Sequence, residues 1–123
     1  MNKAEQLVFV YGTLRTGEEN HALLTGSVNL GMATTAGKFT MLDMGDYPAV
    51  INHGNHAIVG EVYMVSRETM AKLDVLEEYP DYYQRMMIST PYGDAWIYVL
   101  EKSPDQKPNE VKSGDWIEHK IRR

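Results

Sequence analysis

Four carboxylates crowd one short stretch of the chain, Asp74, Glu77, Glu78 and Asp81, just before and after Pro80. Spacing separates them. Glu77 lies four residues after Leu73 and seven after Met70, so on a helix it points along the apolar stripe. Glu78 follows Asp74 by four and Ala71 by seven, on the more polar side. Burial, the neighbouring acids and the negative end of a helix dipole are all expected to disfavour the ionised form of Glu77. A glutamate lifted from about 4.3 to roughly 6–7 can accept and return a proton near neutral pH. The plainer alternative is a helix-end acid that is solvated or paired with Arg85. Glu61 alternates with Val59, Tyr63 and Val65 and is read as structural, a carboxylate accepting hydrogen bonds inside a sheet.

The second candidate is the loop Tyr11-Gly12-Thr13-Leu14-Arg15, directly after the apolar run Leu7-Val8-Phe9-Val10-Tyr11. A glycine there permits a sharp turn and close approach to the backbone. Successive N–H groups at Gly12, Thr13 and Leu14 could cradle a carboxylate or a developing oxyanion. Arg15 is a candidate to neutralise an anionic substrate, against the alternative of a surface arginine. His53 and His56 have a spacing a metal could use, but no third ligand stands near them, and the segment is read as a turn. Phosphate-binding glycine loops and a nucleophile elbow are absent. The tyrosines and Met41, Met44, Met86 and Met87 read as core or cleft wall.

The elements that must position these groups follow from periodicity and turn signals. Leu7–Tyr11 is a strand buried on both faces. Gly37–Met44, Ala49–Ile51, Ala57–Val65, Tyr82–Ser89 and Ala95–Leu100 are further strands, the last two joined through Thr90–Asp94. His21–Leu24 gives one helical turn, and His53-Gly54-Asn55 is a turn. Ser66 caps a helix with Glu68 in its first turn and Met70, Leu73 and Leu76 along its apolar face; Pro80 ends it. Residues 103–108 form a polar linker. The tail to Arg123 carries Val111, Trp116 and Ile117 as docking residues, with Trp116 over the sheet, over the cleft or on a neighbouring chain. The pattern is α+β with a curled, antiparallel-rich sheet, and residues 1–123 read as a single domain ending in a linker and tail, 103–123.

Composition narrows the class. The 123 residues hold 43% hydrophobic and 24% charged side chains, carry a net charge of −5 and include no cysteine. Disulfides, thiolate metal sites and a cysteine nucleophile are excluded, and an intracellular setting is favoured. The acidic balance argues against a nucleic-acid partner, since Lys120, Arg122 and Arg123 are the only basic cluster. No stretch is long and apolar enough for a membrane, and the start lacks the core of a signal peptide, so a cytoplasmic location is expected.

Val10-Tyr11-Gly12-Thr13-Leu14-Arg15, Tyr47-Pro48-Ala49-Val50, Gly60-Glu61-Val62-Tyr63, and Leu73-Asp74 with Glu77, Tyr83 and Arg85 resemble the γ-glutamylcyclotransferase-like superfamily, nearest its γ-glutamylamine cyclotransferase branch. The resemblance runs in order from about residue 7 to residue 101. It implies a small β-barrel flanked by one main helix and short helical turns, with a cleft between the first loop and Glu77. It further implies that the loop binds a glutamyl group, that the glutamate matching Glu77 is the general acid and base, and that no cofactor takes part. The expected reaction is attack of a substrate's own α-amine on its γ-carbonyl, which gives 5-oxoproline and a free amine. Tyr11 and Tyr83 are candidates to hydrogen-bond the substrate or Glu77. The expected partner is a small γ-glutamyl molecule, with oligomeric state left open. A non-catalytic module binding a carboxylate-bearing metabolite is the rival reading, and removal of a γ-glutamyl protecting group in biosynthesis is a variant on the first.

Overall fold

A computed structural model describes residues 5–106 and 108–122. Residues 1–4 of the segment read for a leader, Lys107 in the linker and Arg123 of the basic terminus lie outside the described residues. The elements are β1 (Gln6–Val10), a 3-10 turn (His21–Leu24), β2 (Val28–Thr34), β3 (Phe39–Asp43), β4 (Pro48–His56) and β5 (Val59–Val65). They continue with α1 (Arg67–Leu76), β6 (Tyr83–Thr90), β7 (Gly93–Leu100) and α2 (Trp116–Arg122). This is the expected α+β class. The seven strands form one mixed sheet in the order β2-β5-β1-β7-β4-β3, with β6 on the other side of β7. The ladder does not close on itself, so the expected barrel is an open sheet.

β1 explains why its run is apolar throughout. Successive side chains of a strand point to opposite faces. Val8 and Val10 join Leu14, Met70, Leu73, Tyr83 and Tyr98 on the side covered by α1. Phe9 and Tyr11 join Phe39, Met41, Ile58, Ile97 and Trp116 in a second cluster.

β1 and β4 both run parallel to β7, with Val8 opposite Trp96 and Ile51 opposite Leu100. This register carries Val10 and Ala49 to the level of Tyr98. One edge of β7 cannot pair with both there. β1 therefore turns away at Gly12 just where β4 enters at Pro48, and the parting of the two strands opens the sheet.

α1 begins as its sequence directs: the Ser66 hydroxyl accepts a hydrogen bond from the Thr69 N–H at 3.1 Å, and Met70 and Leu73 are buried. Its end differs from expectation. The helix stops at Leu76, with Glu77 as C-cap, before Pro80 can act. The Glu78 N–H reaches the Val75 carbonyl, and the Tyr79 N–H reaches the Asp74 carbonyl. This is a Schellman turn, with Glu78 at a φ of 52° in the position glycine usually takes.

Three other readings are corrected. β2 was not foreseen. The His53-Gly54-Asn55 turn is an irregularity within β4, where Phe39 pairs with His56 but Thr40 with Ile51. The tail contains α2, and Val111 and Trp116 are fully buried, whereas Ile117 is only partly so.

Candidate active site

The opening between β1 and β4 is a cleft of about 220 Å³, room for an amino-acid-sized group. Val10 to Leu14 supply one wall and Tyr47 and Pro48 a second; Leu76, Glu77 and Glu78 come from the end of α1, and Tyr82, Tyr83 and Tyr98 complete it. Glu19 and Asn20 stand at its rim. Of the groups singled out in the sequence, Glu77, Tyr11, Gly12, Thr13, Leu14 and Tyr83 meet here, while Arg15 does not line the cleft. Among the described lining residues no Lys, Arg or His appears.

The loop is shaped by close contact. A Cβ placed on Gly12 would stand 2.7 Å from Pro48 Cγ, so only glycine lets β1 and β4 approach this closely. The Arg15 N–H closes a turn on the Gly12 carbonyl at 3.0 Å, and the Asn20 N–H donates to the Thr13 carbonyl at 2.9 Å. The His21 ring nitrogen Nδ1 lies 3.0 Å from the Leu14 carbonyl. These contacts use the loop's carbonyls and leave the N–H groups of Gly12, Thr13 and Leu14 outside its own hydrogen bonds.

Glu77 is half-buried, and that burial pushes its carboxyl up to about 7. Neighbouring acids and the helix end, invoked from the sequence, are not needed. Nor is Glu77 paired with Arg85. The Arg85 guanidinium donates through one nitrogen to both oxygens of Asp74, at 3.0 and 3.1 Å. It lies over the rings of Tyr79 and Trp96. The Tyr98 hydroxyl donates to the same Asp74 at 2.7 Å. Asp74 thus ties the last turn of α1 to β6 and β7, and Glu77 is left with no ion-pair partner among the described residues.

The phenols are spent on the backbone. Tyr11 donates to the Tyr98 carbonyl at 2.7 Å, and Tyr83 to the Pro48 carbonyl at 3.1 Å. Burial first holds both phenols well above their ordinary range; the proximity of Glu77 comes next for Tyr11, and that of Tyr11 and then Glu77 for Tyr83. They stay protonated and cannot serve as bases at neutral pH. The Tyr11 oxygen also meets the Val50 N–H and the Tyr83 hydroxyl, whereas the Tyr83 oxygen, its proton committed, can still accept a hydrogen bond. The tyrosines Tyr47, Tyr82 and Tyr98 were missed individually; Tyr47 in the Tyr-Pro pair at the start of β4 was the available signal.

Elsewhere, His56 is buried with Nδ1 accepting from the Met41 N–H and Nε2 facing Glu110. Its role is that of a satisfied core histidine. No described helix is long and apolar enough to cross a membrane.

The open α+β sheet parts beside a short glycine loop, and that loop and a half-buried carboxyl line one cleft. A family described as gamma-glutamyl cyclotransferase, AIG2-like, matches residues 8–118, and the chain belongs to that family. The gamma-glutamylcyclotransferase family protein YtfP of Escherichia coli strain K12 is 36% identical over 111 residues, 90% of this chain and 96% of its own. The solution structure of ytfP from Escherichia coli superposes with a TM-score of 0.75 at 35% identity, covering 94% of this chain and 99% of that one. An uncharacterized protein of Pyrococcus horikoshii, PH0828, gives a TM-score of 0.82 at 28% identity over 95% of this chain and 94% of its own.

Proposed function

We propose that this chain is a cyclotransferase that cleaves γ-glutamyl amines, or closely related γ-glutamyl compounds, to 5-oxoproline and a free amine. The family and the names of its relatives support γ-glutamylcyclotransferase-like activity. The observation that carries the finer reading is the division of the cleft. Backbone N–H groups that make no bond within the loop among the described residues stand on the loop side, while Glu77 and the Tyr83 phenol oxygen stand as acceptors on the other. A glutamyl group offers the complement: a carboxylate for the donors, an α-ammonium for the acceptors.

In this mechanism Glu77 takes a proton from the α-ammonium, and the freed amine attacks the γ-carbonyl. The N–H groups of Gly12, Thr13 and Leu14 hold the glutamyl moiety in the folded geometry that closes a five-membered ring. Glu77 then returns its proton to the leaving nitrogen as the amide bond breaks, and the ring nitrogen gives its second proton to the departing amine, which leaves as an ammonium while Glu77 is again ionised. A carboxyl at about 7 can do both near neutral pH. Positioned acid–base transfer contributes about 10²–10⁴-fold, and holding the intramolecular attack geometry contributes roughly 7–11 kcal/mol.

The test is 5-oxoproline release across a panel of γ-glutamyl amines and γ-glutamyl dipeptides, for wild type and Glu77→Gln. Release by the wild type and its loss in the variant support the mechanism. Equal release by both would sink the role of Glu77, and binding of γ-glutamyl compounds without release would favour a non-catalytic module.

A further inference from the structure

Arg15 was expected at the substrate; its actual place gives it another role. Its side chain is only 7% exposed, as is that of Glu61. Arg15 Nε donates to Glu61 Oε2 at 3.1 Å, and its terminal nitrogen donates to Asp115 Oδ1 at 3.0 Å. The next residue is held by the same carboxylate: the Thr16 N–H and hydroxyl reach Glu61 Oε1 at 3.0 and 2.9 Å. The Tyr63 hydroxyl adds a fourth donor at 2.8 Å. Burial alone would raise the Glu61 carboxyl, but the hydrogen bonds from Thr16, Tyr63 and Arg15 outweigh it and hold the group below its ordinary value.

Asp115 belongs to the segment leading into α2, a hundred positions away in sequence. That segment is pressed onto the start of β5. The Val59 N–H donates to the Gly114 carbonyl at 2.9 Å, and a Cβ on Gly114 would stand 1.9 Å from the Ala57 carbonyl oxygen. Trp116 is fully buried in the core, and Asp115 Oδ1 also accepts the Glu118 N–H of α2. Farther along α2, Lys120 pairs with Glu18 on the loop that follows Arg15. The C-terminal segment therefore reaches the loop twice, at Arg15 and at Glu18.

We propose that Arg15, clamped between Glu61 and Asp115, is a positioning residue that fixes the Gly12–Leu14 N–H groups from outside the cleft, so that the C-terminal segment is part of the active-site support. This rests on the reading of those N–H groups as the glutamyl-binding donors. Arg15 closes the turn that begins at Gly12, so movement of its backbone changes the direction in which the preceding N–H groups point. Two carboxylates, each held by a different nitrogen of one planar guanidinium, fix its orientation in a way one ammonium cannot.

The full-length chain with Arg15→Lys, Asp115→Asn or Asp115→Glu tests the clamp by two readouts. One is amide hydrogen exchange at Glu18 and Asn20, whose N–H groups bond the Arg15 and Thr13 carbonyls of the loop, compared with Val62 and Val65 in β5. The other is steady-state release of 5-oxoproline from γ-glutamylethylamide. Arg15→Lys and Asp115→Asn are expected to speed loop exchange about tenfold, with the β5 amides unchanged, and to raise KM more than they lower kcat; tenfold is the lower end of what a hydrogen bond to a charged group contributes. Asp115→Glu, which restores the charge, is expected to recover part of both. Loop exchange that stays at the wild-type rate in folded Arg15→Lys and Asp115→Asn, or that rises equally in loop and β5, overturns the clamp. If the wild type releases no 5-oxoproline, the functional reading fails while the exchange measurement still decides the clamp.

Discussion

Glu61 is buried and Glu77 half-buried, yet their acidities move in opposite directions. Glu61 accepts hydrogen bonds from Arg15, Thr16 and Tyr63 and is held below its ordinary value. Glu77 has no ion-pair partner among the described residues, and burial pushes it up to about 7. Enclosure sets the cost of a charge, and partners decide whether that cost is met. The met carboxylate holds structure together. The unmet one holds its proton more tightly than a solvated carboxyl does.

The largest effect expected from breaking this contrast is on turnover. Removing the proton carrier in Glu77→Gln is expected to lower kcat/KM for a γ-glutamyl amine by about 10²–10⁴-fold. In the wild type kcat/KM is expected to rise with pH through about 7, since Glu77 must be ionised to accept the first proton. A pH profile that stays flat between pH 5 and 8 would count against Glu77 as the base.

The same substitution at the other glutamate acts on folding. Glu61→Gln places an amide where four donors converge, and is expected to cost about 2–4 kcal/mol in urea unfolding at pH 7. The folded-state value of Glu61 lies below its unfolded value of about 4.5, so its contribution is full above that value. It fades as pH falls through the folded value, and the gap between wild type and variant should close there.

Glu77 gives the opposite sign. Its folded-state value is raised, so the folded chain holds this proton more tightly than the unfolded chain does. The stability from that preference is full below about 4.5 and is lost as pH rises to about 7. Glu77→Gln is therefore expected to be about 1–3 kcal/mol more stable than wild type at pH 8, allowing for partial solvent access, and equal to it at pH 4. Equal urea midpoints at pH 8 would mean that the carboxyl is better solvated than its position implies.

How much of this contrast the sequence carried depends on the range of each interaction. Glu77 was legible because one helix sets its direction, and Ser66, Met70 and Leu73 announce that helix. The Gly12 loop was legible because an apolar strand ends on a glycine. Glu61 was read as a hydrogen-bonded carboxylate in the sheet, and it is one. What the sequence did not carry was who holds it. Arg15 to Asp115 is a contact across a hundred residues with no periodic trace. β2 escaped for a related reason: Val28, Leu30 and Met32 lie on an edge strand, largely exposed or half-exposed, and glycine interrupts them. The raised pKa of Glu77 was expected from three causes, and burial is the one that acts, because Asp74 is already engaged by Arg85 and Tyr98.

The smallest expected effect lies between the two glutamates' contrasting regimes, at Glu78. No comparable backbone feature accompanies Glu61, which sits in a regular strand opposite Val10. Beside Glu77, the chain leaves α1 through a residue at φ 52°, where a Cβ crowds the following carbonyl. Glycine at this position removes the crowding but adds freedom to the unfolded chain, so Glu78→Gly is expected to stabilise by about 0.5–1 kcal/mol. Glu78→Ala removes the same carboxylate and keeps the Cβ, and is expected to gain nothing from relief of the turn. Urea midpoints for the pair separate the two causes: a gain confined to glycine assigns the cost to the backbone, while an equal gain in both assigns it to repulsion between adjacent carboxylates.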